Sequence, residues 1–117
     1  MLYTGKGDNG TTKLFGCTER IAKDEPRVQA LGNLDELNSY VGMCRALAFA
    51  ATARDIKSRL AAIQEDLFVV QALLAGAHKG LSPERISLLE DAIAGIEAEI
   101  PPITSFTITG ATVLSGA

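Results

Sequence analysis

Asn33-Leu34-Asp35-Glu36-Leu37-Asn38-Ser39-Tyr40-Val41 decides the fold. Asn33 is a good N-cap, and Glu36 three positions on completes a capping-box pattern. Apolar positions then recur at Leu34, Leu37, Val41, Cys44, Ala48 and Ala51, in the steps of three and four that make one helical face. This spacing predicts a helix from about Leu34 to about Ala51.

The same periodicity continues downstream. Ile56, Leu60, Ile63, Leu67, Val70 and Leu74 predict a second helix from about Asp55 to about His78. Phe68, Val69, Ala72 and Leu73 widen its stripe beyond what one neighbour can cover, so burial on two sides is expected. Gly76 and Gly80 mark its fraying end. His78 would then suit the negative end of the helix dipole. Ser82 and Pro83 open a third helix, with proline in the first turn where its missing N–H costs nothing. Ile86, Leu89, Ile93, Ile96 and Ile100 form its stripe, and Pro101-Pro102 end it. Three amphipathic helices with short connections predict an all-α, up-down helical bundle. The chain reads as one domain over 1–117: a loop region at 1–31, a three-helix bundle at 32–100 and an irregular tail at 101–117.

Upstream lies Tyr3-Thr4-Gly5-Lys6-Gly7-Asp8-Asn9-Gly10-Thr11-Thr12. Glycines pack nothing and lose the most backbone freedom on ordering, but they let backbone N–H groups converge on an anion. Lys6, Lys13 and Lys23 add charge, and Thr4, Thr11 and Thr12 add hydroxyls. A polyphosphate is the natural guest, and a plain flexible N-terminus is the competing reading. Ordering such a loop costs roughly 1–2 kcal/mol per residue, so it is expected to be mobile until an anion binds. Gly5 to Gly10 spells G-x-G-x-x-G, but no strand precedes it and no helix follows it, so the dinucleotide fingerprint is rejected. A Walker A motif fails as well, because Thr11 stands where lysine is required. Asp8 is either a turn residue or a carboxylate for Mg²⁺ on the phosphates.

Composition narrows the field. A net charge of −3 gives no reason to expect nucleic acid or an anionic membrane as partner. Cys17 and Cys44 lack metal-ligand spacing and read as two reduced thiols of a cytoplasmic protein. No metal site is expected. No apolar run reaches the ~18 residues of a membrane span, and no targeting peptide is expected at the N-terminus. There is no Ser/His/Asp or Cys/His constellation for nucleophilic catalysis.

The loop, T-G-K-G-D-N-G-T-T-K-L from Thr4 to Leu14, is followed by Arg20, Lys23, Asp24, Arg27, Ala30, Gly32 and Asp35-Glu36-Leu37-Asn38-Ser39. This two-part pattern resembles the N-terminal part of the ATP:cob(I)alamin adenosyltransferases of the propanediol-utilisation type. The likeness continues more weakly through Ile63 to Phe68 and fades near Phe106. The resemblance implies a five-helix, ferritin-like bundle that forms homotrimers with ATP between subunits, of which about three helices are represented here. It implies ATP and cobalamin as substrates, with the protein binding ATP through Thr4, Gly5, Lys6, Gly7, Asp8, Gly10, Thr11, Thr12, Lys13 and Lys23. It assigns Asp35 a salt bridge to an arginine of the adjacent subunit, near the corrinoid; otherwise Asp35 and Glu36 favour the positive end of a helix dipole. Asn38 and Ser39 would order that helix end. It assigns Phe106 a place beneath the corrin ring, where it keeps the lower ligand off cobalt; otherwise Phe106 anchors the tail. The family's arginine-rich helix has no counterpart here, since no arginine follows Arg85. The expectation is therefore either a truncated adenosyltransferase or a shortened relative that binds ATP or corrinoid as a sensor or carrier.

Overall fold

The computed structural model describes residues 2–48, 53–78 and 80–108. Three helices dominate: α1 (Pro26–Leu47), α2 (Ala53–Leu74) and α3 (Pro83–Glu99). Ahead of them a two-residue strand, β1 (Thr11–Thr12), pairs antiparallel with β2 (Ile21–Ala22), in the register Thr11 to Ala22 and Thr12 to Ile21.

Helix α1 begins eight residues before the expected start at Leu34. Pro26 supplies its first turn, and the Glu25 side chain caps it by accepting from the Arg27 N–H at 3.2 Å. Proline also holds Glu25 in extended backbone, which fixes the entry of the helix. Asn33 and Glu36 are therefore interior residues and no capping box forms. No acidic residue lies in the first turn, so the dipole reading of Asp35 and Glu36 falls. The expected end at Ala51 and the tail beyond Ile108 lie outside the described residues.

Helices α1 and α2 form an antiparallel hairpin. Gln64 Nε2 donates to the Asn38 carbonyl at 3.3 Å, and Arg45 donates to Gln64 Oε1 at 3.2 Å. Gly42 makes room for this bridge: a Cβ there would sit 3.0 Å from Gln64 Nε2. Helix α3 returns antiparallel along α2. Arg85 grips the half-buried Asp66 with both prongs, at 2.8 and 3.1 Å, and Arg59 donates to the Ala92 carbonyl at 3.3 Å.

Helix α2 ends at Leu74, short of His78. Ala77 N–H bonds to the Ala72 carbonyl at 2.8 Å and Gly76 N–H to the Leu73 carbonyl at 3.0 Å. This is a Schellman closure, with Gly76 at φ 103° in the left-handed position. His78 lies past the last helical turn, so its expected dipole role falls. The turn also docks the N-terminal segment, because a Cβ on Gly76 would lie 2.9 Å from the Phe15 carbonyl oxygen. Leu14, next to Phe15, is one of the two buried apolar residues among those described, with Ala48. The loop is thus seated at the end of the hairpin where α2 finishes.

Elsewhere the apolar faces remain open. Ile86, Leu89, Ile93 and Ile96 of α3 and Ile100 at its C-cap are each about half exposed, and Phe68 on α2 is 66% exposed. The wide stripe expected on α2 thus has an uncovered side.

Candidate nucleotide loop

The glycine-rich stretch is a braced loop. Asp8 N–H bonds to the Gly5 carbonyl and Gly10 N–H to the Gly7 carbonyl, each at 3.2 Å, giving two successive turns. Gly5 and Gly10 take φ of 67° and 80°. Asn9 Oδ1 accepts from Thr11 N–H at 3.2 Å and from the Thr11 hydroxyl at 2.6 Å. Asp8 and Asn9 are thus both turn residues, and Asn9 supplies the side-chain bonds that brace the turn. Asp8 accepts from the Tyr3 hydroxyl. That bond, with a smaller contribution from desolvation, raises the Tyr3 phenol above its ordinary value.

Arg20 ties the two limbs of the loop together. Its Nε donates to Thr11 Oγ1 at 2.9 Å, and one terminal nitrogen donates to the Lys6 carbonyl at 2.7 Å and the Thr11 carbonyl at 2.9 Å. Lys23 N–H adds a bond to the Gly10 carbonyl at 2.9 Å, extending the short β1–β2 ladder. The two limbs of the loop are thus tied to one another by the loop's own hydrogen bonds.

These bonds sort the candidate residues. The Gly10 amide and the Thr11 hydroxyl are spent on the loop itself. Lys6, Lys13 and Lys23 are exposed, and none makes an ion pair among the described residues. Lys23 lies over Gly7, where a Cβ would come within 3.3 Å of its Nζ and 3.2 Å of the Thr11 carbonyl oxygen. Gln29, from the first turn of α1, donates to the Lys23 carbonyl at 3.0 Å and so joins this lysine to the helix. Thr4 and Thr12 flank the turns. The arrangement offers uncommitted ammonium groups around a narrow backbone turn, the chemistry of an anion receptor.

The other two candidates stand apart. Asp35 is an exposed residue in the interior of α1, and Gln71 Nε2 reaches its Oδ1 only at 3.5 Å. The Ser39 hydroxyl donates to the Asp35 carbonyl at 3.0 Å, so Ser39 serves the helix interior rather than an end. Phe106 is fully exposed in the irregular segment after α3, so it anchors nothing among the described residues. No group of His, Cys, Asp or Glu among the described residues is arranged to hold a metal. Sequence reasoning missed the brace role of Arg20 and the cap of Glu25. Pro26 signalled the cap, whereas nothing local signals the Arg20 bonds.

An antiparallel helical bundle with a braced, lysine-bearing loop at one end defines a helical protein whose N-terminal segment is seated on the end of its hairpin. The chain belongs to the cobalamin adenosyltransferase family, whose model matches residues 2–117. A corrinoid adenosyltransferase of Citrobacter freundii is 42% identical over 116 residues, covering 93% of this chain and 64% of the relative. The corrinoid adenosyltransferase PduO of Salmonella typhimurium is 41% identical over 116 residues, covering 93% of this chain and 33% of the relative. The chain thus spans 64% and 33% of the lengths of those two relatives. A solved structure of a variant PduO-type ATP:corrinoid adenosyltransferase from Lactobacillus reuteri, complexed with cobalamin and ATP, matches with a TM-score of 0.90 at 29% identity. That match covers 99% of this chain and 67% of the neighbour.

Proposed function

We propose that the chain takes part in transfer of the 5′-deoxyadenosyl group of ATP to cob(I)alamin. The cobalt(I) electron pair attacks C5′, the C5′–O bond breaks, and triphosphate leaves with the bonding pair. Cobalt is the nucleophile, so the protein's task is to position ATP and stabilise the charge on the leaving group. The observation that carries this reading is the braced loop, which leaves Lys6, Lys13 and Lys23 without a carboxylate partner among the described residues. Binding of ATP and cobalamin by the Lactobacillus reuteri relative supports the choice of ligands.

The backbone at Gly5 and Gly7, the hydroxyls of Thr4 and Thr12, and the three lysines are the groups that would meet the triphosphate. Thr11, Gly10 and Asn9 hold the turn that presents them. Where Mg²⁺ accompanies ATP, Asp8 would hold it, since hard carboxylate oxygen suits that ion and Tyr3 engages one of its two oxygens. Asp35 would pair with a cation of a neighbouring subunit at the corrinoid side, and Phe106 would pack beneath the corrin ring. Homotrimeric assembly is the reading that would cover the open apolar faces of α2 and α3. Two free thiols, Cys17 and Cys44, suit the cytoplasm.

The test is an anaerobic assay of the purified protein with cob(I)alamin and excess MgATP. Loss of the cob(I)alamin absorbance with matching formation of adenosylcobalamin and triphosphate is expected. Binding of both ligands without product would overturn the catalytic reading and leave a carrier or sensor.

A further inference from the structure

We propose that Arg20 is the positioning residue of the loop: it sets the shape in which Lys6 and Gly7 meet the phosphates, and it does so through the geometry of its fork rather than through its charge. The proposal rests on the nucleotide-binding reading above.

Three oxygens converge on this one guanidinium: the Lys6 carbonyl at 2.7 Å, the Thr11 carbonyl at 2.9 Å and Thr11 Oγ1 at 2.9 Å. Lys6 and Thr11 stand on opposite limbs of the turn, so a single planar group holds both limbs at a fixed separation. A guanidinium suits this because its donors diverge in one plane from a rigid centre. An ammonium radiates three donors from a point and cannot match that spread. The acceptors are neutral oxygens, and Arg20 makes no ion pair among the described residues. Its side chain is therefore committed to loop structure even though its charge is not neutralised.

The remaining bonds depend on this clamp. Thr11 Oγ1 accepts from Arg20 while donating to Asn9 Oδ1 at 2.6 Å, so the Arg20 bond orients the hydroxyl that stabilises the Asn9 turn. Thr11 is also the first residue of β1, which pairs with Ala22 beside Lys23. Releasing Arg20 loosens the turn at Asn9 and the separation between Lys6 and Thr11 together. Gly7, where a Cβ would lie a tight 3.2 Å from the Thr11 carbonyl oxygen and 3.3 Å from Lys23 Nζ, lies inside the clamped span.

The test compares Arg20→Lys, which keeps the charge, with Arg20→Gln, which removes it. MgATP dissociation constants are measured by titration calorimetry at two salt concentrations, together with hydrogen exchange of the nucleotide-free proteins. Both variants are expected to bind MgATP about 10- to 100-fold more weakly, in line with the loss of several bonds from a charged donor. Exchange is expected to accelerate at residues 5–12 and to stay unchanged in α1 and α2. The salt dependence of Arg20→Lys is expected to match that of the wild type because the charge is kept, and unchanged exchange in α1 and α2 is the readout that a general loss of stability would not produce. Wild-type affinity in Arg20→Lys would overturn the proposal, because charge alone would then suffice. If the wild-type protein itself fails to bind MgATP, the nucleotide reading fails and the clamp is judged by exchange. Acceleration in Arg20→Lys then sustains it as the organiser of the loop, and unchanged exchange overturns it.

Discussion

Replacing Gly76 by alanine should strain the joint between the loop and the helices from two directions. The residue sits at φ 103°, a conformation that L side chains rarely adopt. Holding alanine there costs about 1–3 kcal/mol. The added Cβ would also lie 2.9 Å from the Phe15 carbonyl oxygen, where ordinary contact begins at 3.4 Å. That oxygen belongs to backbone beside the buried Leu14, so it cannot swing away as a side chain would. Overpacking of this kind costs about 1–3 kcal/mol, and the entropy gained by removing a glycine from the unfolded chain returns less than about 1 kcal/mol. The net expectation is a loss of about 2–4 kcal/mol, since the two strains partly relieve each other through one backbone shift. Urea unfolding followed by far-UV circular dichroism measures it. Gly32→Ala is the internal control: Gly32 lies inside α1 with nothing within 4 Å of its added Cβ, and it should gain up to about 1 kcal/mol. A Gly76→Ala protein within 0.5 kcal/mol of the wild type would refute the argument, that being about the scatter of innocuous surface changes.

Three further outcomes are expected. The Tyr3 phenol donates to Asp8 and is held above its ordinary value, so the bond persists below about pH 10 and is lost as pH rises through the raised pKa. Asp8→Ala should therefore bring phenolate absorbance at lower pH in an ultraviolet titration, and an unmoved curve would deny the bond. Lys23→Gln should weaken MgATP binding about tenfold and flatten its salt dependence, whereas Lys57→Gln on α2 should do neither; calorimetry at two ionic strengths decides. Asp66→Asn should lower Tm by a few degrees by breaking the paired prongs of Arg85, and Asp66→Arg combined with Arg85→Asp should recover part of the loss in a thermal melt.

The helices were legible where their ends carry local chemistry. Pro83 opens α3 as the sequence implied, and its apolar spacing carried the expectation through to Glu99 and the boundary at Ile100. Helix α1 was misjudged because two signals competed. Asn33 with Glu36 imitates a helix start, and Gly32 just before them looks like a stop. The start lies at Pro26, capped by a glutamate that is not among the preferred capping residues, and the helix runs through Gly32 at a cost of about 1 kcal/mol. The end of α2 was misjudged in the opposite sense, because Gly76 closes the helix rather than marking a frayed extension to His78. The loop itself, with its glycines and exposed lysines, could be read from the sequence. Its brace could not, because Arg20 reaches back nine and 14 residues to meet its acceptors.

This difference separates the two halves of the candidate site. The residues proposed for phosphate meet their structural partners within the first 29 positions: Tyr3 with Asp8, Asn9 with Thr11, Arg20 with Lys6 and Thr11, Gln29 with Lys23. Their shape depends on short-range bonds and on one docking contact between Phe15 and Gly76, so this end of the site can form on a hairpin whose apolar faces stay open. Asp35 and Phe106 have no such support. Among the described residues the Asp35 carboxylate has one hydrogen bond, from Gln71 at 3.5 Å, and Phe106 is bare. They project from the same molecule that leaves Ile86, Leu89, Ile93 and Ile96 half exposed. In the proposed assembly, the subunit that covers those helices would also supply the surroundings in which Asp35 and Phe106 act. Nucleotide affinity should therefore be encoded largely in the loop, whereas the proposed corrinoid side depends on how the open faces of the bundle are covered.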